Sequence, residues 1–101
     1  MAYKEFYVED NGEEDIDRSN FTKKLHEAGY SPVRSITLVD NTRIDIYDIN
    51  DTGIMFETGV DKHQKESGIG NITTIGNNLE NILKTKDEIE GKTGFVLEEV
   101  K

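Results

Sequence analysis

The sequence predicts an α+β fold in which one mainly antiparallel sheet carries two helices packed on one face. Short segments rich in β-branched and aromatic residues are separated by tight-turn residues, and two further stretches carry apolar residues at helical spacing. The resulting element order is β-α-β-β-β-α-β. A chain of 101 residues has the length of one domain, so residues 1–101 are interpreted as a single α+β domain.

The first predicted elements are a strand and a helix joined by an acidic segment. Tyr3 to Val8 alternates between two faces as a strand does, and residues 9–17, with six acids among nine residues, follow it. A helix is predicted from apolar residues at i, i+4 and i+7, which are Phe21, Leu25 and Ala28. Its expected N-cap is Asp17 or Ser19, and Gly29 is expected to end it.

A three-stranded antiparallel meander is predicted next, because the connections between its strands are too short for a crossover. Its strands are Val33 to Val39, Thr42 to Ile49 and Ile54 to Thr58. They are joined by turns at Asp40-Asn41 and at Asn50 to Gly53.

The last third of the chain is predicted to contain a long loop, a helix and a final strand. Gly59 to Gly70 is polar and shows no periodicity. The helix is predicted from an apolar stripe formed by Ile72, Ile75, Leu79, Ile82, Leu83 and Ile89. It would begin within this stripe or after Gly76, where Asn77 or Asn78 would cap it, and it would end at Gly91 before a strand from Phe95 to Val100.

Charge and composition narrow the class of protein. The chain has 21 acidic and 12 basic residues, a formal net charge of −9 and no cysteine. Such a chain is not expected to bind nucleic acid directly or to lie on an anionic membrane, whereas it suits a basic partner. With no signal-peptide pattern and no apolar run of about 20 residues, we expect a cytoplasmic protein, in the host cytoplasm if it is phage-encoded.

The glycine-rich stretch ahead of the second helix raises the question of a phosphate-binding loop. The Walker spacing is not met, because Gly70 and Gly76 are one residue too far apart and Asn77 stands where a lysine is required. The dinucleotide pattern begins at Gly68 and Gly70 but has Thr73 at its third glycine position. The stretch is therefore interpreted as a loop that ends in capping asparagines, with an anion site as the alternative.

Catalytic and metal-binding constellations are not recognised in the sequence. His26 and His63 are the only histidines, and neither lies at a characteristic spacing from a nucleophile or from a set of metal ligands. Asp48 to Gly53 begins like an EF-hand loop, but Gly59 occupies the position of the bidentate glutamate. We therefore expect a protein that is not an enzyme and that holds neither a cofactor nor a metal ion.

The acidic residues suggest a function once they are placed on the predicted sheet. Carboxylates at the regular pitch of a sheet present spaced negative charge much as a phosphate backbone does, and a basic groove would attract them. The candidate partner-binding residues are Glu9, Asp10, Glu13, Glu14, Asp15, Asp17, Asp40, Asp45, Asp48, Asp51 and Glu57.

In size, charge and lack of an active site, the chain resembles the small acidic inhibitors that phages and mobile elements make against host nucleases, including CRISPR effectors. This is a resemblance of type, carried by no motif. It implies a nucleic-acid mimic of the anti-CRISPR or anti-restriction type, with a basic nucleic-acid-binding protein as its partner. Immunity proteins that neutralise nuclease toxins would share the same features.

A small-ligand module is the alternative interpretation. Its loop would close over a nucleotide or another anion, using the candidate residues Lys62, Lys65, Gly68, Gly70, Asn77 and Asn78. Apolar residues also fall on both faces of the strand Val33 to Val39, which predicts either a fully buried central strand or a homodimer.

Overall fold

Seven strands and two helices make up the part of the chain that the computed structural model describes, which is residues 1–10, 12, 18–60, 66–69 and 71–101. In chain order they are β1 (Ala2–Glu9), α1 (Arg18–Glu27), β2 (Arg34–Thr37), β3 (Arg43–Ile49), β4 (Thr52–Val60), β5 (Glu66–Ile69), β6 (Ile72–Gly76), α2 (Leu79–Thr93) and β7 (Val96–Glu99).

The strands form one sheet in the order β2-β3-β4-β6-β1-β7, with β5 paired to the far end of β4. All of the described pairings are antiparallel. Both helices bury their apolar stripes against the same side of this sheet, where Phe21 and Leu25 of α1 meet Ile82 and Ile89 of α2 in one core. The predicted α+β class, with a mainly antiparallel sheet and two helices on one face, is confirmed.

The predicted element order lacks two strands. The prediction of an irregular segment from Gly59 to Gly70 is wrong, because β4 continues to Val60 and β5 returns alongside it, with Thr58 opposite Ile69. Residues 61–65 and 70 lie outside the described part of the chain.

Of the two expected starts of the second helix, the one after Gly76 with Asn78 as the N-cap is confirmed. The inclusion of Ile72 and Ile75 in the helix is wrong, because both belong to β6. Ile72 is buried and Ile75 is 45% exposed, so the two side chains lie on opposite faces of a strand. Their i, i+3 spacing fits a helix, but four β-branched residues in succession, from Ile72 to Ile75, favour the extended backbone.

One of the two alternatives for the strand Val33 to Val39, a fully buried central strand, is wrong. β2 covers only Arg34–Thr37 and lies at the edge of the sheet, so it is not a buried central strand. Val33, Leu38 and Val39 flank this edge strand and are exposed.

The helix ends follow local capping chemistry. Asn78 is the N-cap of α2, and its Oδ1 accepts a hydrogen bond of 2.8 Å from the backbone N–H of Asn81. The prediction that Gly91 ends α2 is wrong. The helix runs on to Thr93 and stops at Gly94, whose φ of +81° suits glycine and whose N–H donates to the carbonyl of Glu90 at 3.0 Å.

The end of α1 is as predicted. Gly29 has a φ of +94°, and its N–H donates to the carbonyl of His26 at 2.9 Å. The N–H of Tyr30 donates to the carbonyl of Leu25 at 2.9 Å, which completes a Schellman motif. Of the two expected N-caps, Ser19 lies inside α1 and Asp17 lies outside the described residues.

The hairpin between β3 and β4 turns on two residues in the left-handed region. Asn50 and Asp51 have φ values of +53° and +59°, and Ile49 pairs directly with Thr52, which defines a two-residue type I′ turn. Asn81 of α2 holds this turn, because its Nδ2 donates to the carbonyl of Asn50 at 2.7 Å.

Asp51→Gly should stabilise the protein by about 0.5–1 kcal/mol, because glycine avoids the left-handed cost of a Cβ while adding some entropy to the unfolded chain. Urea unfolding measures the change. Asn50→Gly is the matched control and should gain less, since it also removes the hydrogen bond of 2.8 Å from Asn50 Nδ2 to Glu88. A larger gain for Asn50→Gly than for Asp51→Gly would contradict the assignment of the turn.

Gly76→Ala should destabilise the protein by about 1–3 kcal/mol, because a Cβ there would lie 2.9 Å from Cγ1 of Ile82 in the core. Gly91→Ala is the control, because its Cβ meets nothing within 4 Å in an exposed stretch of α2. It should stabilise by about 1 kcal/mol. Thermal unfolding of both variants checks the prediction, and a shift of the two melting temperatures in the same direction would contradict it.

Candidate protein-binding face

The side of the sheet opposite the core is here called the open face, because neither described helix covers it. It consists of the outward residues of β1, β2, β3, β4, β6 and β7. Several are large, and Tyr3, Tyr7, Ile75 and Val96 are each between 45% and 57% exposed. The apolar members of the open face are Tyr3, Tyr7, Ile36, Ile44, Ile46, Met55, Ile75 and Val96.

Strand register arranges the open face in rows. One row runs across five strands through successive partners, which are Arg34, Ile46, Met55, Thr73 and Glu5. A second row is formed by Asp48, Gly53, Ile75 and Tyr3. Neighbouring strands lie about 4.8 Å apart and alternate residues about 7 Å apart, so Ile46, Met55, Ile75 and Tyr3 form an apolar band across the sheet, and Glu5 separates this band from Tyr7.

Carboxylates lie on both sides of this apolar band. A third row contains two cross-strand pairs, Ile44 with Glu57 on β3 and β4, and Tyr7 with Glu98 on β1 and β7. Asp48 lies on the opposite side of the band, while Glu5 and Glu9 lie along β1. Among the described side chains, the charged members of the open face are the acids Glu5, Glu9, Asp48, Glu57 and Glu98 and the base Arg34. The face is therefore both apolar and strongly acidic.

Tyr3 and Glu5 are coupled on this face. The Tyr3 hydroxyl donates a hydrogen bond to the Glu5 carboxylate, two residues along β1. This bond, followed by desolvation and the negative charge of Glu5, raises the pKa of Tyr3, whereas Thr73 lowers it. The bond orients a carboxylate and a phenol together on the surface of the sheet.

The structure brings together only part of the predicted acidic set. Glu9, Asp48 and Glu57 lie on the open face, whereas Asp40 and Asp51 lie in the turns at opposite ends of β3. Asp10 is half-buried just after β1. Glu13, Glu14, Asp15 and Asp17 lie outside the described residues.

Asp45 requires a correction, because it is only 1% exposed and cannot meet a partner in this conformation. It lies on the core side of β3 next to Tyr47, and its Oδ1 accepts a hydrogen bond of 2.5 Å from Ser35 Oγ. The sequence suggested an outward acid because Ile44 and Ile46 flank it. The structure shows the reverse, with the isoleucines on the open face.

The apolar residues of the open face were missing from the predicted site. The alternation of Tyr3, Glu5 and Tyr7 against Phe6 and Val8 was a usable signal, since it separates two faces of one strand. Glu5 and Glu98 lie on the open face but are not among the predicted partner-binding residues. Glu99 is on the core side of the sheet, where it pairs with Lys4 at 3.2 Å.

The residues of the alternative ligand loop are not assembled into a site in the described part of the chain. Gly68 lies in β5, Asn77 is exposed, and Asn78 Oδ1 is used to cap α2. Lys62, Lys65 and Gly70 lie outside the described residues. Gly76 has a packing role, since it lets Ile82 approach the end of β6.

Among the described residues, no three side chains of His, Asp or Glu converge on a common point as metal ligands would. Neither α1 nor α2 combines the length and the apolar character that crossing a membrane requires. Comparisons of the chain with protein-family models, with curated proteins and with solved structures gave no match.

Glu5→Gln should lower the pKa of Tyr3 towards its ordinary value near 10, because it removes the charged acceptor that holds the phenol proton. The hydrogen bond between Tyr3 and Glu5 contributes to the free energy of unfolding below pH 10. This contribution is lost as the pH rises through the pKa that Tyr3 has in the folded protein. A ¹³C NMR titration of the tyrosine rings measures the change. Glu98→Gln, on the same face, should leave Tyr3 unchanged, and an equal shift in both variants would contradict the specific bond.

Proposed function

We propose that this protein is a non-enzymatic interaction module that binds a basic, nucleic-acid-binding protein through the open face. The observation that supports the proposal is the combination on one sheet surface of exposed aromatic and aliphatic side chains with carboxylates on both sides of them. Tyrosine and methionine are enriched at the centres of protein interfaces. The surrounding charges select the partner and accelerate encounter.

The shape of the face favours a protein partner over a small ligand. A sheet holds its side chains at fixed spacing, and six strands extend about 24 Å across. Such a surface can bind an extended partner without a change in its own backbone conformation. An unpartnered apolar band of this kind marks an interaction site in a soluble domain.

The charge of the face argues against a second copy of this chain as the partner. Five carboxylates and one arginine form the charged part of the face, so two copies would bring like charges together. The whole chain carries −9, which adds to this repulsion. A partner rich in lysine and arginine would remove both penalties.

The class of partner follows from the spacing of the acids. Glu5 and Glu98 lie on adjacent strands and adjacent rows, about 8 Å apart at the sheet surface, in a rigid array of like charges. A groove that binds a phosphate backbone carries the complementary basic array. The narrower form of the proposal is a nucleic-acid mimic that inhibits a host-defence nuclease in the host cytoplasm, as anti-CRISPR and anti-restriction proteins do.

Glu5→Gln/Glu57→Gln/Glu98→Gln should weaken capture of the partner at least about tenfold, because it removes charges that steer association. The protein is immobilised and exposed to the heparin-retained fraction of a native lysate at low salt. Capture should be lost at about 0.5 M salt, where exposed charges are screened. Added double-stranded DNA should release the captured protein, because it competes for the same basic groove.

The matched control is Glu27→Gln/Glu80→Gln/Asp87→Asn, which removes the same number of charges from exposed positions on the helices. It should retain capture. Equal loss in both triple variants would show a general charge effect, and capture that DNA does not displace would contradict mimicry. A dimer of the wild-type protein in sedimentation experiments, broken by Ile75→Glu, would assign the open face to a second copy instead.

A further inference from the structure

A concave surface lies on the core side of the sheet, which is the side opposite to the open face. It is a cleft of ≈ 500 Å³ between α1 and the strands β2 and β3. A volume of this size is in the range of small-molecule sites. The cleft exists because α1 packs towards β5 and α2, which leaves the β2–β3 edge of the sheet without a covering helix among the described elements.

The side of α1 that faces the cleft is polar. Ser19, Thr22, Lys23 and His26 lie at i, i+3, i+4 and i+7 and line the cleft together. Phe21 and Leu25 lie on the other side of the same helix and are buried in the core. The apolar side of α1 therefore belongs to the core, and its polar side forms one wall of the cleft.

The cleft gathers positive charge in a protein whose net charge is −9. Lys23 enters it from α1 and Arg43 enters from β3, while His26 of α1 adds a ring N–H donor. Asp45 is the one acid among its described lining residues, and this acid is buried and accepts a hydrogen bond from Ser35. The balance of charge in the cleft is thus the opposite of that on the open face.

Tyr30 forms part of the wall of the cleft. Its Oη is buried and has no hydrogen-bond partner among the described residues. Lys92 and Glu88 approach from α2 closely enough to shift the pKa of Tyr30, which burial raises most, but neither meets the geometry of a hydrogen bond.

We infer that this cleft binds a small phosphomonoester. A phosphate monoester carries three acceptor oxygens and close to two negative charges, which match the charges of Lys23 and Arg43 and the ring N–H of His26 better than the two oxygens of a carboxylate do. Tyr47 forms the apolar floor on which the organic part of the ligand would rest. The inference does not rest on the function proposed for the open face, because the two surfaces lie on opposite sides of the sheet.

The test is an NMR titration of the full chain with inorganic phosphate and with adenosine monophosphate, at constant ionic strength, with acetate as the carboxylate comparator. Amide shifts should be confined to the cleft, with adenosine monophosphate binding more tightly than phosphate and phosphate more tightly than acetate. Lys23→Gln/His26→Gln should weaken phosphate binding about tenfold or more, since it removes the charge of Lys23 and the imidazole of His26 from the cleft.

Lys24→Gln is the matched control, because Lys24 is an exposed neighbour on α1 that does not line the cleft. It should leave the affinity for phosphate unchanged, as should the triple glutamate variant of the open face. Absence of shifts with both phosphate probes, shifts of equal size with acetate, or equal weakening by Lys24→Gln would each overturn the inference. Far-UV circular dichroism confirms that each variant is folded.

Discussion

The contact of Phe21 with the sheet is the interaction on which the helix-covered side depends. Its ring meets Phe56 edge to face, with centroids 5.0 Å apart and planes at 85°, and lies 5.3 Å from Phe95. Tyr47 stacks on Phe56 at 5.8 Å. Phe21 and Leu25 are the only buried apolar residues of α1 among those described, so removal of the Phe21 ring, at about 3–5 kcal/mol, would release the helix and with it one wall of the cleft.

Because successive side chains along a strand point to opposite faces, the sheet separates a buried apolar side from the open face. Phe6, Ile54 and Phe56 point into the dry core, while their neighbours Glu5 and Met55 lie on the open face. The turn and helix that close the core are joined by polar contacts instead. Asn81 Nδ2 bonds the carbonyl of Asn50, and the hydroxyls of Thr52 and Thr85 meet at 3.3 Å in a buried position.

The sequence alone predicts those elements whose residue pattern is compatible with only one local structure. The stripe of α1, the left-handed Gly29 and the short turns of the meander each define a local structure without help from distant residues. Ile72 and Ile75 were ambiguous, because a spacing of three fits a helix and also fits the two faces of a strand. The tertiary pairing of β6 between β4 and β1 decided between them.

The candidate sites were less accessible from the sequence than the fold. Alternation shows that a strand has two faces, but it does not say which one the helices will cover, so Asp45 was placed outward while Ile44 and Ile46 were not. The cleft depends on where α1 lies over the sheet, which is set by long-range packing of Phe21. Neither property is encoded in a short segment.

The position of β1 has a consequence for how the chain folds. The strand β1 lies between β6 (Ile72–Gly76) and β7 (Val96–Glu99), so neither of its ladders can form until these later segments have been synthesised. Such long-range pairing raises the contact order and slows folding. During that delay β1 is an unpaired, aromatic strand, and the strong negative charge of the chain would keep nascent copies from pairing with one another.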